Sequence, residues 1–172
     1  MKRILCFGDS NTWGYDPRSY WGDRYEVPWP DHLAKITGWN VVNWGQNGRE
    51  IPREMPPYSC DLLIVMLGTN DLLQGCTPEQ AAARMDIFLN TVNTPVLLVA
   101  PPAMVKGEWV QEDSLILYSH QIAAEYAVLS ANHGIPFCDA TQWNIPLCFD
   151  GVHFTEAGHI TFAENIRNHI VK

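Results

Sequence analysis

The sequence predicts an α/β domain in which a parallel sheet lies between two layers of helices. Five short apolar runs are spread along the chain, and helical patterns separate them. Strands that are apolar on both faces are typical of a parallel sheet buried between helices. A chain of 172 residues, 47% of them hydrophobic, is long enough to form one such domain with a substantial core. We therefore predict a single domain over residues 1–172.

The predicted strands are the apolar runs at 4–7, 41–44, 61–68, 95–102 and 135–140. In a parallel α/β sheet the crossover connections are right-handed, and ligands bind beyond the carboxyl ends of the strands. We therefore expect functional residues to follow directly after the apolar runs.

Four helices are predicted, at 29–37, 77–92, 112–134 and 155–171. Thr77 is a typical N-cap, and Pro78 suits the first position of a helix. Gly38 and Gly134 follow their helical patterns and are typical C-caps. The alternation of strands with helices favours an α/β arrangement over an all-α or all-β domain.

Composition and charge exclude several classes of function. The net charge is −8 and no run of basic residues occurs, which argues against a nucleic-acid partner. The apolar stretch in MKRILCFGDS is too short for a signal peptide, and no run approaches the roughly 18 residues of a membrane span. Five cysteines without a CxxC motif disfavour a disulfide framework or a zinc site. We predict a cytoplasmic protein with no membrane partner.

Polar residues with catalytic potential follow the predicted strands. Ser10 follows the first strand, Gly45 the second and Asn70 the third, while Asp150 and His153 precede the last helix. Each of these residues alone is an ordinary turn residue or helix cap. Their joint placement at the expected binding edge of the sheet instead indicates nucleophilic catalysis.

Ester hydrolysis requires each of these residue types. A serine hydroxyl becomes nucleophilic when a base removes its proton, imidazole is the usual base, and a carboxylate orients the imidazole. We predict Ser10 as nucleophile, His153 as base and Asp150 as the orienting acid. The tetrahedral intermediate also needs an oxyanion hole. We predict that its donors are the backbone N–H groups of Ser10 and Gly45 and the side-chain amide of Asn70.

Four motifs carry these residues in order along the chain: FGDSNTWG, NWGQNGRE, LGTND and DGVHFTEAGH. With them the sequence resembles the SGNH hydrolase superfamily, also called the GDSL esterase/lipase family, and within it the branch of small arylesterases, acetylesterases and acyltransferases. The resemblance implies a flavodoxin-like, three-layer α/β/α sandwich with a five-stranded parallel sheet. It also implies the catalytic roles assigned above, with no cofactor and no metal.

The substrate pocket is predicted from position alone. The first motif reads Gly-Asp-Ser-Asn where the family more often has Gly-Asp-Ser-Leu, and we expect Asn11 to lie outside the catalytic roles. The segment 100–109 follows the fourth strand and is predicted to form a pocket wall. The predicted pocket residues are Asn11, Trp13, Ala103 and Met104.

The sequence therefore predicts a serine esterase that hydrolyses short-chain acyl or acetyl esters of small molecules through an acyl-enzyme. The same triad would serve a carbohydrate acetylesterase, a thioesterase or a lysophospholipase, and the sequence leaves these alternatives open. A non-catalytic binding module would be favoured by the loss of a triad residue, and none is lost. Aromatic residues in loops favour a homo-oligomer.

Overall fold

A computed structural model describes residues 2–171 and contains a five-stranded parallel sheet in the order β2-β1-β3-β4-β5. This result confirms the predicted fold class. Each strand coincides with one of the five apolar runs. The strands are β1 (Arg3–Gly8), β2 (Asn40–Gly45), β3 (Leu62–Met66), β4 (Val96–Ala100) and β5 (Phe137–Asp139).

The helices include the four that the sequence predicts and two of a single turn or little more. They are α1 (Ser10–Trp13), α2 (Trp29–Thr37), α3 (Thr69–Leu73), α4 (Pro78–Leu89), α5 (Asp113–His133) and α6 (Glu156–Ile170), with a 3-10 helix at Ala140–Gln142. Thr77 caps α4 by accepting a hydrogen bond from the Gln80 N–H, and Gly38 and Gly134 end α2 and α5 in the left-handed conformation. The short helices α1 and α3 span too few residues to produce a periodic pattern.

Two hydrophobic clusters cover the two faces of the sheet. Leu5 and Phe7 of β1 pack in the cluster that includes α4 and α5, while Ile4 and Cys6 pack in the cluster that includes α2 and α6. Successive side chains of a strand point to opposite faces, so a strand with helices on both sides is apolar throughout. This arrangement is the predicted three-layer sandwich.

The sheet brings the carboxyl ends of three strands together. Gly8, the last residue of β1, pairs with Gly45 of β2 on one side and with Met66 of β3 on the other. The segments that leave these strands therefore start side by side, and they include α1 and α3. In the part of the chain from 2 to 171, no helix combines the length and the apolar character needed to cross a membrane.

Candidate active site

Ser10 is the first residue of α1 and follows β1 after one intervening residue. The Asp9 side chain caps this helix by accepting a hydrogen bond from the Asn11 N–H at 2.9 Å. The cap fixes the turn that presents the Ser10 side chain at the sheet edge. Ser10 Oγ lies 2.9 Å from His153 Nε2, which is the distance of a hydrogen bond.

Asp150 and His153 lie in one tight turn before α6. His153 Nδ1 is 2.6 Å from Asp150 Oδ2. The other carboxylate oxygen, Oδ1, accepts the backbone N–H groups of Val152 at 2.9 Å and His153 at 3.0 Å. The carboxylate is thus held by three hydrogen bonds from its own turn, and it holds the imidazole in one orientation.

The protonation states follow from these contacts. Burial raises the pKa of the Asp150 carboxyl, but the hydrogen bonds from the His153 ring and from two backbone N–H groups outweigh burial and hold that pKa below its usual range. An ionised Asp150 has no proton to donate, so His153 Nδ1 carries the hydrogen and donates the hydrogen bond between them. The lone pair of Nε2 therefore faces the Ser10 hydroxyl, which is the tautomer that a general base requires. The three contacts fit a catalytic triad.

Three N–H donors border the same space. Asn70 lies in α3, and its Nδ2 donates one hydrogen to the Arg49 carbonyl at 3.2 Å, which leaves its second N–H for a ligand. No acceptor between residues 2 and 171 takes the backbone N–H of Ser10 or of Gly48. Unpaired backbone donors are rare in folded proteins and are useful where a ligand supplies the acceptor.

The structure corrects the prediction for Gly45. Its N–H donates to Asn43 Oδ1 at 2.9 Å, and Gly45 does not line the cleft beside Ser10. A Cβ at Gly45 would lie 2.0 Å from the Trp13 nitrogen, so this glycine allows β2 and α1 to touch. Gly48, three residues later in the same motif, lines the cleft in its place and has a φ of +72°.

The cleft beside Ser10 has a volume of about 230 Å³ and contains two aromatic walls. The Tyr15 ring centroid lies 4.7 Å from that of His153, and the Trp109 ring centroid lies 5.0 Å from it at nearly a right angle. The imidazole is thus packed between two rings. The lining residues are Ser10, Tyr15, Asn47, Gly48, Asn70, Trp109 and His153.

None of the four predicted pocket residues lines this cleft. Asn11 is buried and points at the turn that carries the triad, and Trp13 packs against the Arg24 guanidinium, 5.7 Å from its ring centroid. Ala103 and Met104 line a separate depression next to α5. The segment after β4 does form a wall, as predicted, but its contribution is Trp109.

Backbone hydrogen bonds hold the segment 105–109 to the turn 150–153, which carries Asp150 and His153 and is called the triad turn below. The Val105 N–H donates to the Gly151 carbonyl, and the Trp109 N–H donates to the Asp150 carbonyl, both at 3.1 Å. A Cβ at Gly107 would lie 2.4 Å from the Asp150 carbonyl carbon, so the two segments pack without a side chain between them. This contact brings Trp109 beside His153.

Within residues 2–171, no group of three or more histidine, cysteine, aspartate and glutamate side chains is arranged to hold a metal ion. The predicted independence from cofactors stays a prediction.

A serine, a histidine and an aspartate in hydrogen-bonded sequence, facing unpaired N–H donors at the carboxyl edge of a parallel sheet, are the arrangement of a serine hydrolase. A model of the GDSL-like lipase/acylhydrolase family matches residues 6–159, and the chain belongs to this family. The predicted family and the predicted class of enzyme, a carboxylic ester hydrolase, are thereby confirmed.

Solved structures resemble the chain over its whole length. The native aryl esterase of M. smegmatis is 29% identical, with a TM-score of 0.82 over 99% of this chain and 100% of that one. Est24, a carbohydrate acetylesterase from Sinorhizobium meliloti, is 23% identical, with a TM-score of 0.84 over 99% of each chain, and this likeness shows the fold alone. No curated protein matches the chain significantly.

Proposed function

We propose that the protein hydrolyses short-chain acyl or acetyl esters of small molecules through an acyl-enzyme formed on Ser10. The observation that carries this proposal is the pair of contacts in the cleft, 2.9 Å from Ser10 Oγ to His153 Nε2 and 2.6 Å from His153 Nδ1 to Asp150 Oδ2. These contacts link a hydroxyl, a base and an orienting carboxylate in the order that acyl transfer requires.

In the first half of the reaction, Ser10 Oγ attacks the ester carbonyl carbon as its proton passes to His153 Nε2. The tetrahedral intermediate then collapses, the bond to the leaving alcohol oxygen breaks, and that oxygen takes the proton from Nε2. The product is an ester of the acyl group with Ser10. The Asp150 carboxylate stabilises the imidazolium that exists between these two proton transfers.

In the second half, a water molecule replaces the alcohol. His153 Nε2 removes a proton from the water as its oxygen attacks the acyl carbon. Collapse of the second tetrahedral intermediate breaks the bond to Ser10 Oγ, which takes back the proton. The free acid leaves and the triad returns to its starting state, so the cycle consumes one water for each ester.

The oxyanion of both intermediates would accept hydrogen bonds from the N–H groups of Ser10 and Gly48 and from Asn70 Nδ2. The absence of an intramolecular acceptor for the two backbone groups within residues 2–171 supports this assignment. Gly48 replaces Gly45 in it because the Gly45 N–H is already bound to Asn43. Preorganised donors of this kind contribute about 10²–10³-fold each to kcat.

The size of the cleft supports a short acyl group. Its volume of about 230 Å³ lies below the roughly 300–1,000 Å³ of pockets that enclose drug-sized ligands. An acetyl or propionyl group is small enough for this space, whereas a long acyl chain would extend over the surface. We expect activity to fall as the acyl chain lengthens beyond four carbons.

Acetylated sugars are a second substrate class that one observation favours. Tyr15 and Trp109 line the cleft, and Trp109 is 49% exposed, so an aromatic surface borders the reacting serine. Aromatic rings provide broad apolar faces with a polar handle, which suits a ligand that is partly apolar and partly hydrated. Thioesters and lysophospholipids gain no such support. The cytoplasmic location and the homo-oligomer stay predictions.

The test compares hydrolysis of p-nitrophenyl acetate by the wild type and by Ser10→Ala. Ser130→Ala is the matched control, because Ser130 is another buried helical serine, and its hydroxyl donates to the Ala127 carbonyl of α5. We expect Ser10→Ala to be inactive and Ser130→Ala to remain active. A fluorophosphonate probe should label the wild type and Ser130→Ala but not Ser10→Ala.

Equal rates for the wild type and Ser10→Ala would refute the proposal. Failure of the wild type to hydrolyse any ester or to react with the probe would instead favour a binding module. Esters of p-nitrophenol with acyl chains of two to eight carbons, and a parallel set of acetylated sugars, then decide between the two substrate classes.

A further inference from the structure

The side chain of Asn11 holds the peptide groups on both sides of His153. Asn11 Nδ2 donates to the Val152 carbonyl at 3.0 Å, and Asn11 Oδ1 accepts the Phe154 N–H at 2.9 Å. The Asn11 side chain is buried, and so are Val152 and Phe154. One amide group therefore bonds to the Val152 carbonyl and the Phe154 N–H, which flank the proposed base His153 in the sequence.

These bonds join two parts of the chain that are otherwise separate. Across the described residues, three hydrogen bonds connect the turn 9–14 to the segment 147–155: the contact between Ser10 and His153, and the two made by Asn11. Other bonds of that segment stay within it, as from the Cys148 N–H to the His153 carbonyl at 2.7 Å, or go to the segment 105–109, to Tyr25, to Pro146 and to the first turn of α6.

We propose that Asn11 is a positioning residue that sets His153 Nε2 at hydrogen-bonding distance from Ser10 Oγ, an inference that rests on the proposed function. Asn11 is the next residue after the nucleophile, so its two bonds fix the base relative to Ser10 through one short stretch of backbone. A shift of the triad turn would move His153 away from Ser10, and bonds within that turn do not oppose such a shift.

The primary amide group is well suited to this role. It carries a donor and an acceptor on one planar group, which matches a carbonyl and an N–H two residues apart on the turn that carries His153. A carboxylate of the same shape retains the acceptor for the Phe154 N–H but places a negative oxygen against the Val152 carbonyl. A leucine fills the space and leaves both backbone groups without a partner.

The experiment compares Asn11→Asp with the control Asn165→Asp. Asn165 is a half-buried asparagine whose Nδ2 donates to the Thr161 carbonyl at 2.9 Å inside α6, away from Ser10 and from the turn that carries His153. We expect Asn11→Asp to lower kcat about 10- to 100-fold with KM within about twofold of the wild type, because small displacements of reacting groups are costly in rate. We expect Asn165→Asp to keep kcat within about twofold.

The rate of Ser10 labelling by a fluorophosphonate gives a second readout. Labelling needs an activated nucleophile but not the later deacylation step, so it should fall together with kcat in Asn11→Asp and stay unchanged in Asn165→Asp. Unchanged kcat in a folded Asn11→Asp would overturn the proposal. Equal losses in both variants would also overturn it, because they would indicate general destabilisation.

Asn11→Leu keeps the proposal testable if Asn11→Asp does not fold. A folded and fully active Asn11→Leu would overturn the proposal, as would failure of both Asn11 variants to fold while Asn165→Asp folds. Ser10→Ala, measured in parallel, separates the two inferences. If the wild type has no esterase activity, the proposed function fails. If Ser10→Ala is inactive and the folded Asn11 variants are as active as the wild type, the proposed function holds and only the role of Asn11 fails.

Discussion

Gly45 packs directly against the backbone of Trp13, so a methyl group at Gly45 would lie 2.0 Å from the Trp13 nitrogen. This contact places α1, the helix that carries Ser10, directly against strand β2. It also explains why a glycine stands at this position without donating to a substrate. Gly48 differs in kind, because a Cβ there would meet nothing within 4 Å.

Replacement of Gly45 by alanine should therefore destabilise the fold. The methyl group would overlap backbone atoms that have no free rotation, and overpacking of this kind costs about 3 kcal/mol of unfolding free energy. Urea denaturation gives the measurement, with Gly38→Ala as the control. Gly38 has open space around its Cβ but a φ of +70°, so we expect that control to cost about 1–2 kcal/mol. A Gly45→Ala variant as stable as the wild type would contradict this prediction.

Replacement of Asn70 by alanine should lower kcat by about 10²–10³-fold and leave KM nearly unchanged, because its free N–H would bind the oxyanion more strongly than the ester carbonyl. Steady-state kinetics with p-nitrophenyl acetate measures both constants. Asn90→Ala is the control. The Asn90 amide donates to the Asp86 carbonyl at the C-terminal end of α4, and Asn90 does not line the cleft. A loss confined to KM would show that Asn70 binds substrate instead.

The sequence predicted the five strands, the four longer helices and the residues that fit a triad, because each depends on local or simple rules. Apolar runs indicated the strands, and the rule that ligands bind at carboxyl ends selected Ser10, Asn70 and the pair Asp150 and His153. Parallel pairing of β1 with β3 brings Ser10 and Asn70 to one edge of the sheet without any detail of side-chain packing. Asp150 and His153 come instead from the turn before α6, and His153 reaches Ser10 through its side chain.

The sequence did not predict that Gly48 rather than Gly45 lines the cleft, because the path of the backbone through a turn does not follow from residue type alone. Gly45 ends a strand, whereas Gly48 lies in the following turn at a φ of +72°. A similar limit applies to the pocket. Trp109 reaches His153 through hydrogen bonds between two loops, and such pairing leaves no periodic signal.

Acid should destabilise the protein through His159. Its side chain is fully buried, its Nδ1 accepts the Trp29 N–H at 3.2 Å, and it packs against the Tyr25 and Phe154 rings. Burial, together with the charge of Arg24, lowers its pKa from the ordinary histidine value of 6.5 to about 3. As the pH falls below 6.5, His159 becomes protonated in the unfolded chain but stays neutral in the folded protein. The free energy of unfolding therefore decreases as the pH falls toward 3.

The expected slope from this group is about 1.4 kcal/mol of unfolding free energy per pH unit. Denaturation of the wild type and of His159→Gln at pH 7 and pH 5 measures it. Glutamine offers an oxygen to the Trp29 N–H and does not titrate, so the difference between the two pH values should shrink in this variant. An identical pH dependence in both proteins would mean that His159 is protonated in the folded state.

Replacement of Gly107 by alanine should impair catalysis through the backbone of the triad turn. The added methyl group would lie 2.4 Å from the Asp150 carbonyl carbon, so either the segment 105–109 or the Asp150 turn must move. Both movements weaken the bond from the Trp109 N–H to the Asp150 carbonyl. Because a displacement of about 1 Å in reacting groups costs on the order of 10²-fold, we expect kcat to fall by about that factor.

Two comparison variants separate the turn from the aromatic wall. Trp109→Phe retains a ring beside His153 and the backbone bond to Asp150, so its kcat should stay close to that of the wild type. Trp109→Ala retains only the backbone bond and opens the cleft, so the main change should be a higher KM for the ester. If Gly107→Ala instead keeps the kcat of the wild type while its KM rises as in Trp109→Ala, the segment 105–109 has moved and the triad turn has stayed. That outcome would show that the bonds within the turn and to Asn11 are sufficient to hold His153 against Ser10.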